Sequence, residues 1–332
     1  MRKLLHSGLL VALLMSGCSA ATSIANPSQA PTMTDQSLPA PTTEPKGTIL
    51  PEMVLEIRNE SDPLNTPYGV ALDSSGKIYV NDAGNSRILV FDKAGTLLTK
   101  WDRKGSSAGE FNSFGFGGIA IDGNDNIFVV DNGNHRVQKF DTAGKFLTQW
   151  GSGGSEAGQF VRAIGIAVDR EGNVYVTDDG NPFVQKFDND GKFLMKWGGA
   201  GTGEGQFSHA TGIAVDAQGN IFVSDYENKR VQKFDPQGNF VVAWGMGTDI
   251  KVTGIPEGIA TDDQGRVYVT DYLLGRIQVF DNHGTPLWSW GTRDKGIAKS
   301  LFQRPVALAF DKQGHFYIVN QRTSNVQVFK LP

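Results

Sequence analysis

Gly212-Ile-Ala-Val-Asp216, Asn220-Ile-Phe-Val-Ser-Asp225, Arg230-Val-Gln-Lys-Phe-Asp235 and Phe240-Val-Val-Ala-Trp-Gly245 follow one another with only a turn between each pair. Each run is short, alternating or β-branched, and Gly or Asn-Gly turns separate the runs, which is the pattern of four consecutive antiparallel strands. The Asp that closes the first run recurs at Asp73, Asp122, Asp169, Asp216, Asp262 and Asp311, at steps of 46–49 residues. Four short strands in every period of about 40–50 residues is the signature of a propeller blade. The expected fold is all-β, a propeller of six blades with four antiparallel strands in each.

Strand counting shows how the ring closes. Trp101, Trp150, Trp197, Trp244 and Trp290 each mark the outer strand of a blade, and the sixth blade has no such strand after Val326-Gln-Val-Phe329. A run of the right kind stands at the other end of the domain, Met53-Val-Leu-Glu-Ile-Arg-Asn59. We expect it to join the C-terminal blade and remove the open edges that would otherwise template aggregation.

The composition agrees and excludes several classes. In 332 residues, 39% hydrophobic and 20% charged is a globular balance, and 41 glycines without a Gly-X-Y period exclude collagen. The net charge is −4, and it becomes more acidic if Arg2 and Lys3 are removed with a signal. A fold-wide electrostatic claim on nucleic acid is thereby excluded, although a local basic patch is not. A single Cys excludes a disulfide framework and any Cys-based zinc site.

That Cys sits in an informative place. Met1-Arg2-Lys3 is a basic start, and Leu4 to Met15 is an apolar run broken by His6-Ser7-Gly8, shorter than the ~20 residues of a transmembrane helix. The run fits a secretory signal. It ends in Met15-Ser16-Gly17-Cys18, which resembles the bacterial lipobox, with Met15 in place of the usual Leu. The resemblance implies residues 1–17 as a lipoprotein signal peptide and Cys18 as the lipidated residue; ordinary cleavage after Ala20 or Ala25 is the alternative. A diacylated, N-acylated Cys anchors stably at ~0.8 kcal/mol per buried CH₂. Ser19, by resemblance to sorted lipoproteins, points to the outer membrane in a Gram-negative cell. Residues 18–48 are rich in Pro, Thr, Ser and Ala, hold no aromatic residue, and read as a disordered tether. The propeller is expected over 49–332.

Three stretches carry a family resemblance: Asp82-Ala-Gly-Asn85-Ser-Arg87, Asp131-Asn-Gly-Asn134-His-Arg136 and Asp225-Tyr-Glu-Asn228-Lys-Arg230. With the linkers ending in Gly-Glu-Phe111, Gly-Gln-Phe160 and Gly-Gln-Phe207, they resemble NHL repeats. Three repeats depart, with Phe183 for Arg, Leu274 for Asn, and Asn320, Thr323 and Asn325 in the last. The resemblance implies an NHL-type six-bladed propeller. It leaves function open, because such propellers include RNA binders, protein-binding sensor domains and a lyase.

The Asp, Asn and Arg sets could pass for catalytic groups, but one set per blade reads better as a turn-closing motif, since a site needs asymmetry. Gly199-Ala-Gly-Thr-Gly203 precedes a strand, so the helix a phosphate loop needs is absent. Asp122-Gly-Asn-Asp-Asn126 lacks the Gly and Glu of a calcium loop and reads as a hairpin turn. In the amidating lyase related to these repeats, histidines ring the channel mouth and hold zinc. The matching positions here are Tyr68, Gly117, Ile164, Thr211, Glu257 and Val306, of which none is His and one is acidic. No residue is assigned as catalytic and no cofactor or metal ligand is assigned.

Candidate ligand-binding residues lie on the loop side. Tyr68 and Glu257 stand at the channel mouth, His135 and His209 on the same side but on different blades, and Tyr226, Tyr272 and Leu273 on loops where other blades carry small or polar residues. Arg162 and Arg304 flank them as rim charges. Leu273 and Leu274 could equally fold back to fill the space of the missing Asn. Two functions fit. One is a lipid-anchored cell-envelope binding or scaffold module, a monomeric propeller that presents a face to a protein, peptide or cell-wall ligand and meets the membrane only through Cys18. The other is a propeller hydrolase or lyase, lactonase-like or amidating-lyase-like, with one divalent metal in the channel. An RNA-binding role ranks behind both because the chain is acidic and exported.

Overall fold

The computed structural model describes residues 51–112, 117–249, 252–291 and 301–331. The signal, Cys18 and the tether lie outside the described residues. Six four-stranded antiparallel sheets succeed one another along the described chain. The fourth is Ala210–Val215, Ile221–Asp225, Arg230–Phe234 and Phe240–Gly245, innermost strand first. The chain runs outward in each blade and returns to the centre by a linker, because Gly and Asx turns close each hairpin after five or six residues. The blade-opening aspartates make one of these turns. Asp216 Oδ1 accepts N–H bonds from Gln218 and Asn220, both at 2.9 Å, and Asp122 does the same for Asn124 and Asn126.

Glu52–Ile57 is the outer strand of the sixth blade. It pairs antiparallel with Asn325–Lys330, with Glu52 opposite Lys330 and Ile57 opposite Val326. The strand ends two residues before Asn59, which turns with φ 51°. Ile57 opposite Val326 stands where Trp290 stands opposite Ile277 in the fifth blade. The position is structural in every blade. Trp101, Trp150, Trp197, Trp244 and Trp290 lie 5.3–5.9 Å from Phe140, Phe187, Phe234, Phe280 and Phe329 of the following blade, ring centre to ring centre. At the seam Ile57 joins the core with Phe91 of the first blade. A hairpin glycine completes the contact at Trp101, Trp150, Trp197 and Trp244: a Cβ on Gly144, already at φ +80°, would meet the Trp101 ring at 2.3 Å.

Near the axis the blades crowd together. A Cβ on Gly212 would lie 2.2 Å from the Glu257 carbonyl, so the innermost strands carry Gly69, Gly118, Gly165, Gly212 and Gly258 where they approach the next blade. This close approach narrows the channel and brings residues of different blades within reach of one another at its mouth.

Candidate functional site

The Asp-Asn-Arg sets are holding devices. Asp131 is 1% exposed and accepts bonds from Asn112 N, Asn134 Nδ2, Arg136 Nε and Gln138 Nε2 at 2.8–3.0 Å. Arg136 then donates to the carbonyls of Ser106, Ser107 and Glu110, each at 2.8 Å. The linker is thereby pinned, and its Phe111 is buried 5.6 Å from Phe140. Asp225 and Arg230 repeat the arrangement on Thr202, Gly203 and Gln206. In the third blade Phe183 replaces the Arg, and Asp178 holds backbone N–H groups instead, Val161 at 2.8 Å and Arg162 at 2.7 Å in its linker and Gly180 and Asn181 in the loop that follows it. Burial pushes the Asp178 carboxyl up, against the pull of those N–H groups.

The residues that do not repeat gather at the channel mouth, in three tiers. The second residue of each innermost strand, or its counterpart, gives Tyr68, Ile164, Thr211, Glu257 and Val306. The residue after each second strand gives Asp179, Tyr226, Tyr272 and Gln321, and the loop before each innermost strand gives Arg162 and His209. The two outer tiers are locked by backbone bonds: the N–H groups of Asp179, Tyr226, Tyr272 and Gln321 donate to the carbonyls of Arg162, His209, Ile255 and Arg304 at 2.9–3.0 Å. These groups line a cleft of about 150 Å³. The first two blades leave it open by placing Ala83 and Asn132 in the second tier, and Asn132 is tied to the Ala163 carbonyl at 2.8 Å.

Glu257 forms the floor. It is 6% exposed and accepts a hydrogen bond from the Tyr68 hydroxyl of the first blade. Beneath it the channel is walled by Val70, Ile119, Ile166, Ile213, Ile259 and Leu308. This apolar ring removes water from the carboxylate, and burial, with the nearby charge of Asp179, pushes Glu257 up to about 7 against the Tyr68 hydrogen bond. Burial and the Glu257 charge in turn push the Tyr68 hydroxyl up. Asp179, 8% exposed, is bonded by Arg162 through Oδ2, while Oδ1 accepts no hydrogen bond. His209 Nδ1 stands 3.8 Å from that oxygen, and equally far from Glu227. The wall is aromatic: Tyr226 and Tyr272 meet edge to face at 6.0 Å, and His209 lies 6.5 Å from Tyr226. Burial and the neighbouring Glu257 push the Tyr226 hydroxyl up.

Six of the residues selected from the sequence meet here: Tyr68, Arg162, His209, Tyr226, Glu257 and Tyr272. Arg304 lies behind the wall, its guanidinium 5.5 Å from the Tyr272 ring centre. His135 lies outside the cleft. It turns with φ 54°, and its Nδ1 is 3.1 Å from the Val161 carbonyl. Leu273 is 42% exposed and does not line the cleft, while Leu274 is half-buried and donates its N–H to Asp271 at 3.0 Å. Sequence reasoning missed Asp179 and Gln321. The signal was present in the column Ala83, Asn132, Asp179, Tyr226, Tyr272 and Gln321, but Asp179 was masked by the clamp residue Asp178 beside it.

The donor set does not fit a divalent metal. Among the described residues no three His, Cys, Asp or Glu converge. Tyr68 occupies one oxygen of Glu257, and a guanidinium holds Asp179.

Comparison with known proteins places the chain among propellers. Residues 207–234 and 253–280 match the NHL repeat, and residues 59–137 match a family described as a 6-bladed beta-propeller. Nothing among curated proteins matches. Among solved structures, virginiamycin B lyase from Staphylococcus aureus is similar with a TM-score of 0.59 at 13% identity, covering 85% of this chain and 100% of the lyase. A gluconolactonase from Xanthomonas campestris has a TM-score of 0.59 at 17% identity over 80% of this chain and 86% of its own. A chain of a nidogen/laminin complex has a TM-score of 0.54 at 20% identity over 69% and 81%. Two enzymes and a member of a protein complex share the fold at similar distance, so the fold does not choose between catalysis and binding.

Proposed function

We propose that this six-bladed NHL-repeat propeller is a lipid-anchored binding module of the cell envelope that takes one group of a larger protein, peptide or cell-wall ligand into the cleft at its channel mouth. The observation that carries the reading is the convergence of unrepeated aromatic and acidic side chains from the first, third, fourth and fifth blades on one opening, while the repeated polar sets are used up within the fold. At about 150 Å³ the cleft is smaller than the ~300–1,000 Å³ of a pocket that engulfs a drug-sized molecule. It suits a side chain or terminus. Tyr226 and Tyr272 offer large, stiff contact area with polar tips. Export and anchoring rest on Met15-Ser16-Gly17-Cys18. The test is capture of partners from envelope extract by wild-type and Tyr226→Ala/Tyr272→Ala propellers. Loss of specific partners with an unchanged melting temperature supports the reading, and an identical partner profile refutes it.

Glu257 supports a second reading, a hydrolase or lyase. A buried carboxyl that titrates at about 7 beside a tyrosine hydroxyl is suited to general acid–base work near neutrality. In this reading Glu257→Gln abolishes turnover of a lactone or peptide substrate. The divalent metal we expected for such an enzyme has no fitting ligand set among the described residues.

A further inference from the structure

Asp179 Oδ1 is a buried anionic acceptor with no hydrogen bond in a protein whose other inward-facing aspartates are saturated. Leaving such a group unmade costs on the order of 1–3 kcal/mol, more when it is charged, so its place at an opening implies a donor from outside. His209 Nδ1, 3.8 Å away, is beyond hydrogen-bond distance. Glu257 lines the same cleft with one carboxylate oxygen engaged by Tyr68. Tyr226 and Tyr272 complete the lining beside the two acids.

The binding-module reading leaves the ligand's chemistry open, and the following inference rests on that reading. We propose that the cleft recognises a primary ammonium group, which donates N–H bonds to Asp179 Oδ1 and Glu257 while lying against the rings of Tyr226 and Tyr272. Each feature selects for part of this chemistry. Within the lining two carboxylates stand against the single guanidinium of Arg162 when Glu257 is ionised, and Arg304 adds its charge from behind the Tyr272 ring. The aromatic wall attracts a cation through its ring faces. The unfilled acceptor requires an N–H, which a quaternary ammonium lacks. The small volume admits the end of a chain, such as a lysine side chain or the amino terminus of a peptide.

The test is a ligand-observed NMR titration at pH 8, where Glu257 is ionised, with n-butylamine, choline and butyrate as probes. We expect n-butylamine to bind at least tenfold more tightly than choline or butyrate. Asp179→Asn and Glu257→Gln should each weaken it by about tenfold, the scale of one charge-assisted hydrogen bond. Nα-acetyl-lysinamide and glycyl-glycinamide then separate a side-chain ammonium from a chain terminus. Choline or butyrate binding as tightly as n-butylamine, absence of n-butylamine binding, or indifference to both substitutions overturns the assignment. The wild-type ranking of the probes decides the matter even if one variant fails to fold. If the assignment fails while Tyr226→Ala/Tyr272→Ala still loses its partners, the binding reading stands without it. If n-butylamine binds as expected while partner capture is unaffected, the ammonium site stands and the binding module falls.

Discussion

Asp131 in the second blade and Asp179 in the third are both buried aspartates on the loop side of the ring, and they are used in opposite ways. Asp131 accepts four hydrogen bonds and neutralises a guanidinium whose side chain is 6% exposed. Asp179 is held on one oxygen by Arg162, about half exposed, and its other oxygen accepts nothing. The first arrangement recurs from blade to blade, because every linker has to be pinned. The second occurs once among the described aspartates. Among the buried aspartates on this side of the ring, those that recur and are satisfied belong to the architecture, and the one with bonding capacity to spare lines the cleft.

The sharpest way to break this contrast is to remove each aspartate in turn. Asp131→Ala leaves the Arg136 charge buried without a counter-charge and frees the Asn112 N–H, so we expect a loss of about 3–5 kcal/mol in denaturant unfolding. Asp179→Asn should change stability by less than about 1 kcal/mol, since it removes an ion pair whose guanidinium is half exposed and returns to solvent. Comparable losses for the two would end the distinction between clamp and site.

Glu257 extends the contrast to pH. Its carboxyl is raised from an ordinary 4.5 to about 7, so between these values the folded chain holds a proton that the unfolded chain has released. Stability therefore falls as pH rises through this window, by roughly 3 kcal/mol from this group. Glu257→Gln should flatten the stability profile between pH 5 and pH 8, with its largest gain over wild type at the alkaline end. A parallel profile in the variant would mean that the carboxyl is not desolvated as described.

The smallest expected effect comes from restoring the clamp in the third blade. Phe183→Arg returns a guanidinium to Asp178, whose carboxyl burial now raises, at the cost of the contact between Lys196 and the Phe183 ring. We expect a gain of about 1 kcal/mol at pH 7. Because the substitution lowers the folded-state value of Asp178, the gain should shrink as pH falls towards the ordinary carboxylate value near 3.9. A gain that is the same at pH 7 and pH 3.5 would show that the guanidinium acts by packing.

Part of the site was legible because loop positions can be compared across repeats. Tyr226, Tyr272 and Glu257 stand out where other blades carry small or polar residues. Asp179 did not stand out, because an Asp beside the clamp Asp looks like more of the clamp. His135 was grouped with the ligand side by its place in the repeat, but its backbone turn gives its ring to the Val161 carbonyl.

The sequence by itself determined the blade period, the number of blades, the tryptophans of the outer strands and the N-terminal run that supplies the missing strand. These are properties of short segments: period-two alternation, Gly and Asx turns, and a repeat that makes each blade predict the next. Only the tertiary structure decided that the Tyr68 hydroxyl of the first blade meets the Glu257 carboxyl of the fifth, 189 residues away. Only it showed that Asp179, and not His135, turns to the same cleft. The physical reason is closure. A ring brings its ends together at a narrow axis, and which side chains meet there depends on blade tilt and close backbone approach, which no single repeat encodes.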